Sequence, residues 1–140
     1  MLGKVCTKPV VTASTQMTVE QAARVMRARN VGALVVVNAG RPVGMLTDRD
    51  VAVEVVAKGL DPDTVRVGDV MHKKPVTILE DLGVFDAAKA FARTGVRRLP
   101  VVTKSGALVG VIAVDDLIML LGNEMGHLAA ALSAGLRRAS

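Results

Sequence analysis

The chain is written twice. At an offset of 65 residues, Val11-Thr12 recurs as Val76-Thr77, Val19 as Val84, Ala22-Ala23 as Ala87-Ala88, and Leu34, Val36 and Val37 as Leu99, Val101 and Val102. After a one-residue difference in a loop the offset becomes 66, where Gly40 matches Gly106, Val43-Gly44 matches Val109-Gly110, and Asp50 matches Asp116. A repeat of this kind demands two copies of one supersecondary plan. The whole chain has 140 residues, so neither copy can close a core alone and the two must pack together.

Periodicity gives each copy the order β-α-β-β-α, an α/β (α+β) fold class. In the first, residues 10–13 read as a short strand, and 18–29 as a helix with Val19, Ala22, Ala23 and Met26 on one face and Thr18 as its cap. Residues 33–37 are apolar and β-branched, suiting a strand buried on both faces; Asn38-Ala39-Gly40 turns into a strand ending at Thr47. A helix over 50–58 closes the copy, stopped by Gly59. The second copy predicts a helical turn at 67–71, a strand at 75–78, a helix at 83–93 whose face is Val84, Ala87, Ala88 and Phe91, and paired strands at 99–103 and 108–113. A long C-terminal helix follows, with Leu117, Leu121, Met125, Leu128, Leu132 and Leu136 on one stripe; Gly122 and Gly126 should weaken or bend it. The division is thus 1–60, a linker at 61–66 containing Asp-Pro-Asp, 67–121, and an extension at 122–140.

Chemistry concentrates in Gly44-Met-Leu-Thr-Asp-Arg-Asp50. Thr47 falls where strand gives way to helix, and a helix N-terminus offers unpaired N–H groups and partial positive charge to a phosphate. Asp50 can accept two hydrogen bonds from a vicinal diol such as a ribose edge, and Arg49 carries a planar cationic fork. The competing reading is a capping box, in which Thr47 caps the helix and Asp50 reaches back to the N–H of Thr47. Asp116 argues against capping alone, because Ala113 has no side chain to cap with and the acid persists.

Composition narrows the rest. The single cysteine, Cys6, excludes an intrachain disulfide and suits a reducing cytoplasm; no Cys/His spacing fits zinc. No signal-type h-region opens the chain, and no uninterrupted stretch approaches the ~20 apolar residues of a membrane span. A net charge of +5 favours anionic partners. With no Trp or Tyr and only Phe85 and Phe91, the chain has no platform for stacking single-stranded bases. His72 and His127 read as surface residues and Lys73-Lys74 as a solvated pair. Cys6 and the two histidines assemble no catalytic set, so an enzyme is not expected.

The tandem order, the Gly44–Asp50 motif and Gly95-Val-Arg-Arg-Leu-Pro-Val101 resemble a pair of CBS domains, the cystathionine β-synthase-type repeats that form a Bateman module. The resemblance runs from about Val5 to Leu121. It implies a stand-alone regulatory module whose repeats pack through their sheets by pseudo-twofold symmetry, leaving two clefts that bind AMP, ADP or ATP, less often NAD or S-adenosylmethionine. It would place Asp50 on the ribose, Thr47 and Arg49 near phosphate, Met45, Val76, Thr77 and Pro100 around adenine, and Arg97 or Arg98 towards the phosphates. Strand alternation should let only one of that pair enter the cleft. The second cleft would use Asp116 with Val11, Thr12, Ala33 and Val35. There Ala113 replaces the hydroxyl, Asp115 replaces Arg49, and Gly32-Ala33 replaces the arginine pair, which should make it weaker or selective for an uncharged nucleoside. The resemblance also implies a homodimer through the C-terminal stripe and an unknown partner regulated in trans. The alternative is a basic scaffold for protein or nucleic acid.

Overall fold

In the computed structural model, which describes residues 1–139, each half is a small sheet backed by helices. The first sheet has the order β1-β2-β3-β4, from Thr12–Ala13, Ala33–Asn38, Arg41–Thr47 and His72–Lys73; the second is β5-β6-β7, from Ile78–Leu79, Arg98–Val102 and Leu108–Ala113. β1–β2 and β5–β6 run parallel, and the other pairs run antiparallel. The repeat extends to irregularities, since the register shifts at Val36/Val37 and again at Val101/Val102.

The helices are α1 (Leu2–Val5), α2 (Val19–Arg29), α3 (Asp48–Val51), α4 (Val67–Val70), α5 (Val84–Thr94) and α6 (Val114–Ala139). Local chemistry sets their ends. Thr18 and Gln21 form a capping box on α2 at 3.1 and 3.0 Å, and α2 and α5 both end on left-handed residues, Asn30 and Gly95. The expected closing helix at 50–58 starts at Asp48 as α3 and widens into a π-helical turn over Ala52–Val56.

Each core lies between one sheet and its helices. Ala13, Ala22, Met26, Leu34, Val36 and Leu46 fill the first; Ile78, Ala87, Ala90, Phe91, Leu99, Val101, Ile112 and Leu117 fill the second. Val35 and Pro100, out of step with those side chains on β2 and β6, are also buried. Both central strands are therefore covered on two faces, as their unbroken apolar runs predict.

The halves exchange their opening segments. Leu2 of α1 is buried in the second core, while Val67 of α4 is buried in the first. Leu2 N–H donates to the Leu82 carbonyl at 2.8 Å and Gly3 N–H to Glu80 at 2.9 Å; 65 residues on, Val67 donates to Met17 at 2.8 Å and Gly68 to Thr15 at 3.0 Å. The residues after each helix then pair with the far sheet. Thr7 bridges Val111 on β7, and β4 joins β3 with His72 opposite Met45. Close approach requires glycine at both crossings: a Cβ on Gly44 would lie 2.5 Å from Met71 Sδ and 2.9 Å from the His72 carbonyl, and one on Gly110 would strike Cys6 Sγ and lie 2.9 Å from the Thr7 carbonyl.

Four expectations change. The strand expected at 10–13 is cut to β1, Thr12–Ala13, and that expected at 75–78 moves to β5, Ile78–Leu79, beyond Pro75, which has no N–H to give a ladder. α1 and β4 were not expected, being too short to show a period. α6 runs unbroken through Gly122 and Gly126. By length and composition α6 could also cross a membrane, with a mean hydropathy of 1.3 over its most apolar stretch. Asn123, Glu124 and His127 interrupt the apolar run, but the average stays high.

Candidate functional site

The junction of β3 and α3 is a complete capping box. Asp50 N–H donates to Thr47 Oγ1 at 3.1 Å, and Thr47 N–H donates to Asp50 Oδ2 at 2.8 Å. The other N–H groups of the first turn are also taken: Asp48 donates to the Gly32 carbonyl at 2.9 Å and Arg49 to Asp48 Oδ1 at 2.8 Å. The helix end therefore has no spare donor in that turn for a phosphate, contrary to the sequence expectation. Asp50 is only 7% exposed, and its remaining oxygen, Oδ1, meets His72 Nε2 at 2.8 Å.

The second copy corrects the argument against capping. Ala113 lacks a hydroxyl, yet its N–H donates to Asp116 Oδ2 at 3.3 Å. The acid half of a capping box needs only the backbone of the cap residue, so an acid can persist without the hydroxyl. Gly83 and Asp86 do the same at the start of α5, at 2.9 Å. Asp116, unlike Asp50, is exposed.

Two of the cavities between the halves are counterparts under the repeat. The first, of ≈ 420 Å³, is lined by Met45 and Thr47 from the first copy and by His72, Lys73, Lys74, Pro75, Val76, Val96, Arg97 and Arg98. The second, of ≈ 330 Å³, is its counterpart: Thr7, Pro9, Val10, Val11, Val31, Gly32 and Ala33 stand where His72, Lys74, Pro75, Val76, Val96, Arg97 and Arg98 stand in the first, with Val111, Ala113 and Asp116 across from them. Asn30, Val35, Met45 and Arg98 complete it. The symmetry holds for shape and fails for charge. Four Lys and Arg side chains face the first cavity, whereas one carboxylate and one guanidinium face the second.

Of the residues expected in the first cleft, the structure brings together Met45, Thr47, Val76, Arg97 and Arg98. Both arginines reach it, against the expectation that alternation would admit one. Arg49 is exposed on α3 and lines neither cavity, Asp50 lies behind Thr47 and His72, and Pro100 is fully buried. Thr77 faces a separate hollow under α5. In the second cleft Val11, Ala33, Val35, Ala113 and Asp116 assemble, while Thr12 lies in a hollow with Leu108 and Val109. The second cleft is also better equipped than expected, since Thr7 supplies a hydroxyl and Arg98 a cation. Arg97 and Asp115 approach to 3.5 Å. Sequence reasoning missed His72, Lys73 and Lys74, which read as solvated. The repeat held the signal, because Thr7 and His72 are equivalent positions and each pairs with a strand of the opposite sheet, β7 and β3.

A family model described as the CBS domain matches residues 2–57 and again 67–123. The CBS domain-containing protein YhcV of Bacillus subtilis is 39% identical over 121 residues, 86% of this chain and 83% of that protein. The Methanopyrus kandleri protein MK0525 is 35% identical over 120 residues, 85% of this chain but 61% of its own length, so the chain spans less than two thirds of that relative. Among solved structures, the CBS domain protein PAE2072 from Pyrobaculum aerophilum, complexed with AMP, superposes with a TM-score of 0.75 at 27% identity, over 87% of this chain and 98% of that one.

Proposed function

Because this chain belongs to the CBS-domain family, we propose that it is a non-catalytic sensing module that binds a phosphorylated adenosine in the seam between its repeats. AMP, ADP or ATP is the ligand class, ahead of NAD or S-adenosylmethionine. One observation carries this reading: Lys73, Lys74, Arg97 and Arg98 converge with the Thr47 hydroxyl on a cavity that also has the apolar walls Met45, Val76 and Val96. Apolar walls suit a flat base, and clustered guanidinium and ammonium groups suit phosphate. The AMP complex of the Pyrobaculum relative supports the ligand class.

In this reading the phosphates lie against the four cations and the base against Met45 and Val76. The ribose diol reaches Asp50 Oδ1 by displacing His72. Occupancy shifts the population of two arrangements of the halves, which a partner protein reads in trans. Two copies pair through the exposed stripe of α6, Ile118, Met125, Leu128, Leu132 and Leu136.

Thermal-shift measurements with AMP, ADP, ATP, NAD and S-adenosylmethionine test the reading, since a ligand at 100 times its dissociation constant adds about 2.7 kcal/mol of stability. Adenylates should stabilise the protein, and Lys74→Ala should reduce the effect. His72→Ala should favour adenosine over 2′-deoxyadenosine more strongly than the parent does. No shift with any adenylate, together with salt-dependent binding of an oligonucleotide duplex, would refute the reading in favour of the scaffold alternative.

A further inference from the structure

Among the described residues, one charged side chain lines both cavities. Arg98 opens β6, appears in the wall of each, and shares that position with Met45 alone. On one side lie Lys73, Lys74 and Arg97; on the other lies Asp116. In register Arg98 stands opposite Ala113, the residue whose N–H is held by Asp116. Arg97, its neighbour, is within 3.5 Å of Asp115, whereas among the described residues Arg98 lies within ion-pair distance of no carboxylate. Its long exposed side chain has no salt bridge to break before turning either way.

Resting on the function proposed above, we infer that Arg98 is a shared cation that makes the two cavities antagonistic towards phosphorylated ligands. A guanidinium holds a phosphate well through two parallel N–H···O bonds, and it cannot present that fork to two phosphates in two cavities at once. The first anion takes Arg98 and leaves the second with a poorer site. In the cationic cavity Lys73, Lys74 and Arg97 still remain; in the other, losing Arg98 leaves a phosphate beside Asp116 with no cation in the wall. The pair of sites is therefore graded. An anion in the cationic cavity leaves the second open to an uncharged nucleoside, whose diol needs only the carboxylate, and closes it to a nucleotide. Coupling between binding sites is reciprocal, so a nucleotide seated at Asp116 weakens anion binding opposite by the same factor.

Resonance titration with AMP and with adenosine reads this directly, because Gly32 and Ala33 line only the second cavity and Lys74 and Val96 only the first. In the parent, AMP should fill the cationic cavity first and reach Gly32 and Ala33 only at higher concentration. In Lys73→Ala/Lys74→Ala/Arg97→Ala, where the first cavity no longer holds the anion, Arg98 is free and AMP should reach Gly32 and Ala33 about 5- to 150-fold more tightly than in the parent, the range typical of coupled sites. The adenosine constant at the same residues should agree between the two proteins within about twofold, because an uncharged ligand makes no claim on the shared fork. Adding Arg98→Gln to the triple variant should abolish the gain for AMP. Equal AMP constants at Gly32 and Ala33 in parent and triple variant, with circular dichroism showing folded proteins, overturn the inference while leaving the binding function intact, and a gain that survives Arg98→Gln overturns it too. If AMP moves neither set of resonances in the parent, the underlying function fails and the coupling fails with it.

Discussion

Substituting Gly110 by alanine tests the exchanged segments most directly. The added methyl would strike Cys6 Sγ, lie 2.9 Å from the Thr7 carbonyl and 3.1 Å from Cys6 Cβ. Two responses are open, and their costs decide between them. Keeping the N-terminal segment seated and absorbing the overlap is an overpacking problem, about 1–3 kcal/mol. Releasing the segment exposes the Leu2 side chain, at about 2 kcal/mol. Release also breaks the paired bonds between Thr7 and Val111, at 2.8 and 3.2 Å, worth about 1 kcal/mol each. Staying seated is cheaper, so Gly110→Ala should lose about 1–3 kcal/mol in urea unfolding with its slope against denaturant unchanged. Cys6→Ala should restore part of that loss in the double variant, and the Thr7 carbonyl should keep the remainder. Gly122→Ala is the control. It lies within α6 with nothing within 4 Å of the new methyl, so helix propensity alone acts and should stabilise by up to about 1 kcal/mol. Equal and small effects at Gly110 and Gly122 would refute the packed crossing.

Ala113→Thr should supply the hydroxyl that the second capping box lacks, with Asp116 N–H as its donor, and raise stability by about 1 kcal/mol in the same assay. Resonance titration of the carboxyls should find Glu20 below the usual glutamate range, held there chiefly by its hydrogen bond with Arg24, and Asp63 above the usual aspartate range through its hydrogen bond with Glu20. The signs oppose. The contribution of Glu20 to stability is present above its unfolded value and lost as pH falls through the lowered folded one, whereas that of Asp63 is present at low pH and lost as pH rises through its raised value. Arg24→Ala should move Glu20 upward.

The sheets and long helices were legible because the same apolar side chains recur at matching positions, as Leu34 and Val36 do in Leu99 and Val101. Thr47 was legible as a cap for a different reason: capping is local, involving residues three apart. What escaped the sequence depends on distant pairing. His72 reads as a surface residue until β4 joins β3 and carries it to Asp50, 22 positions away in the chain. Lys73 and Lys74 gain their place in the cavity by the same pairing. Arg49 went the other way, its short distance from Asp50 in sequence giving it no view of the seam.

Traded openings bear on how such a molecule can be assembled. A chain severed between Leu60 and Asp61 would yield one fragment carrying the lid of the other's interior, and the reverse. The two pieces should be weak apart and recover a nicked, native-like body on mixing, whereas a cut after Cys6 should damage the carboxyl-terminal half first. Duplication from a self-associating ancestor follows naturally: two identical peptides clasping each other already possess this architecture, and joining them end to end merely spares them the search.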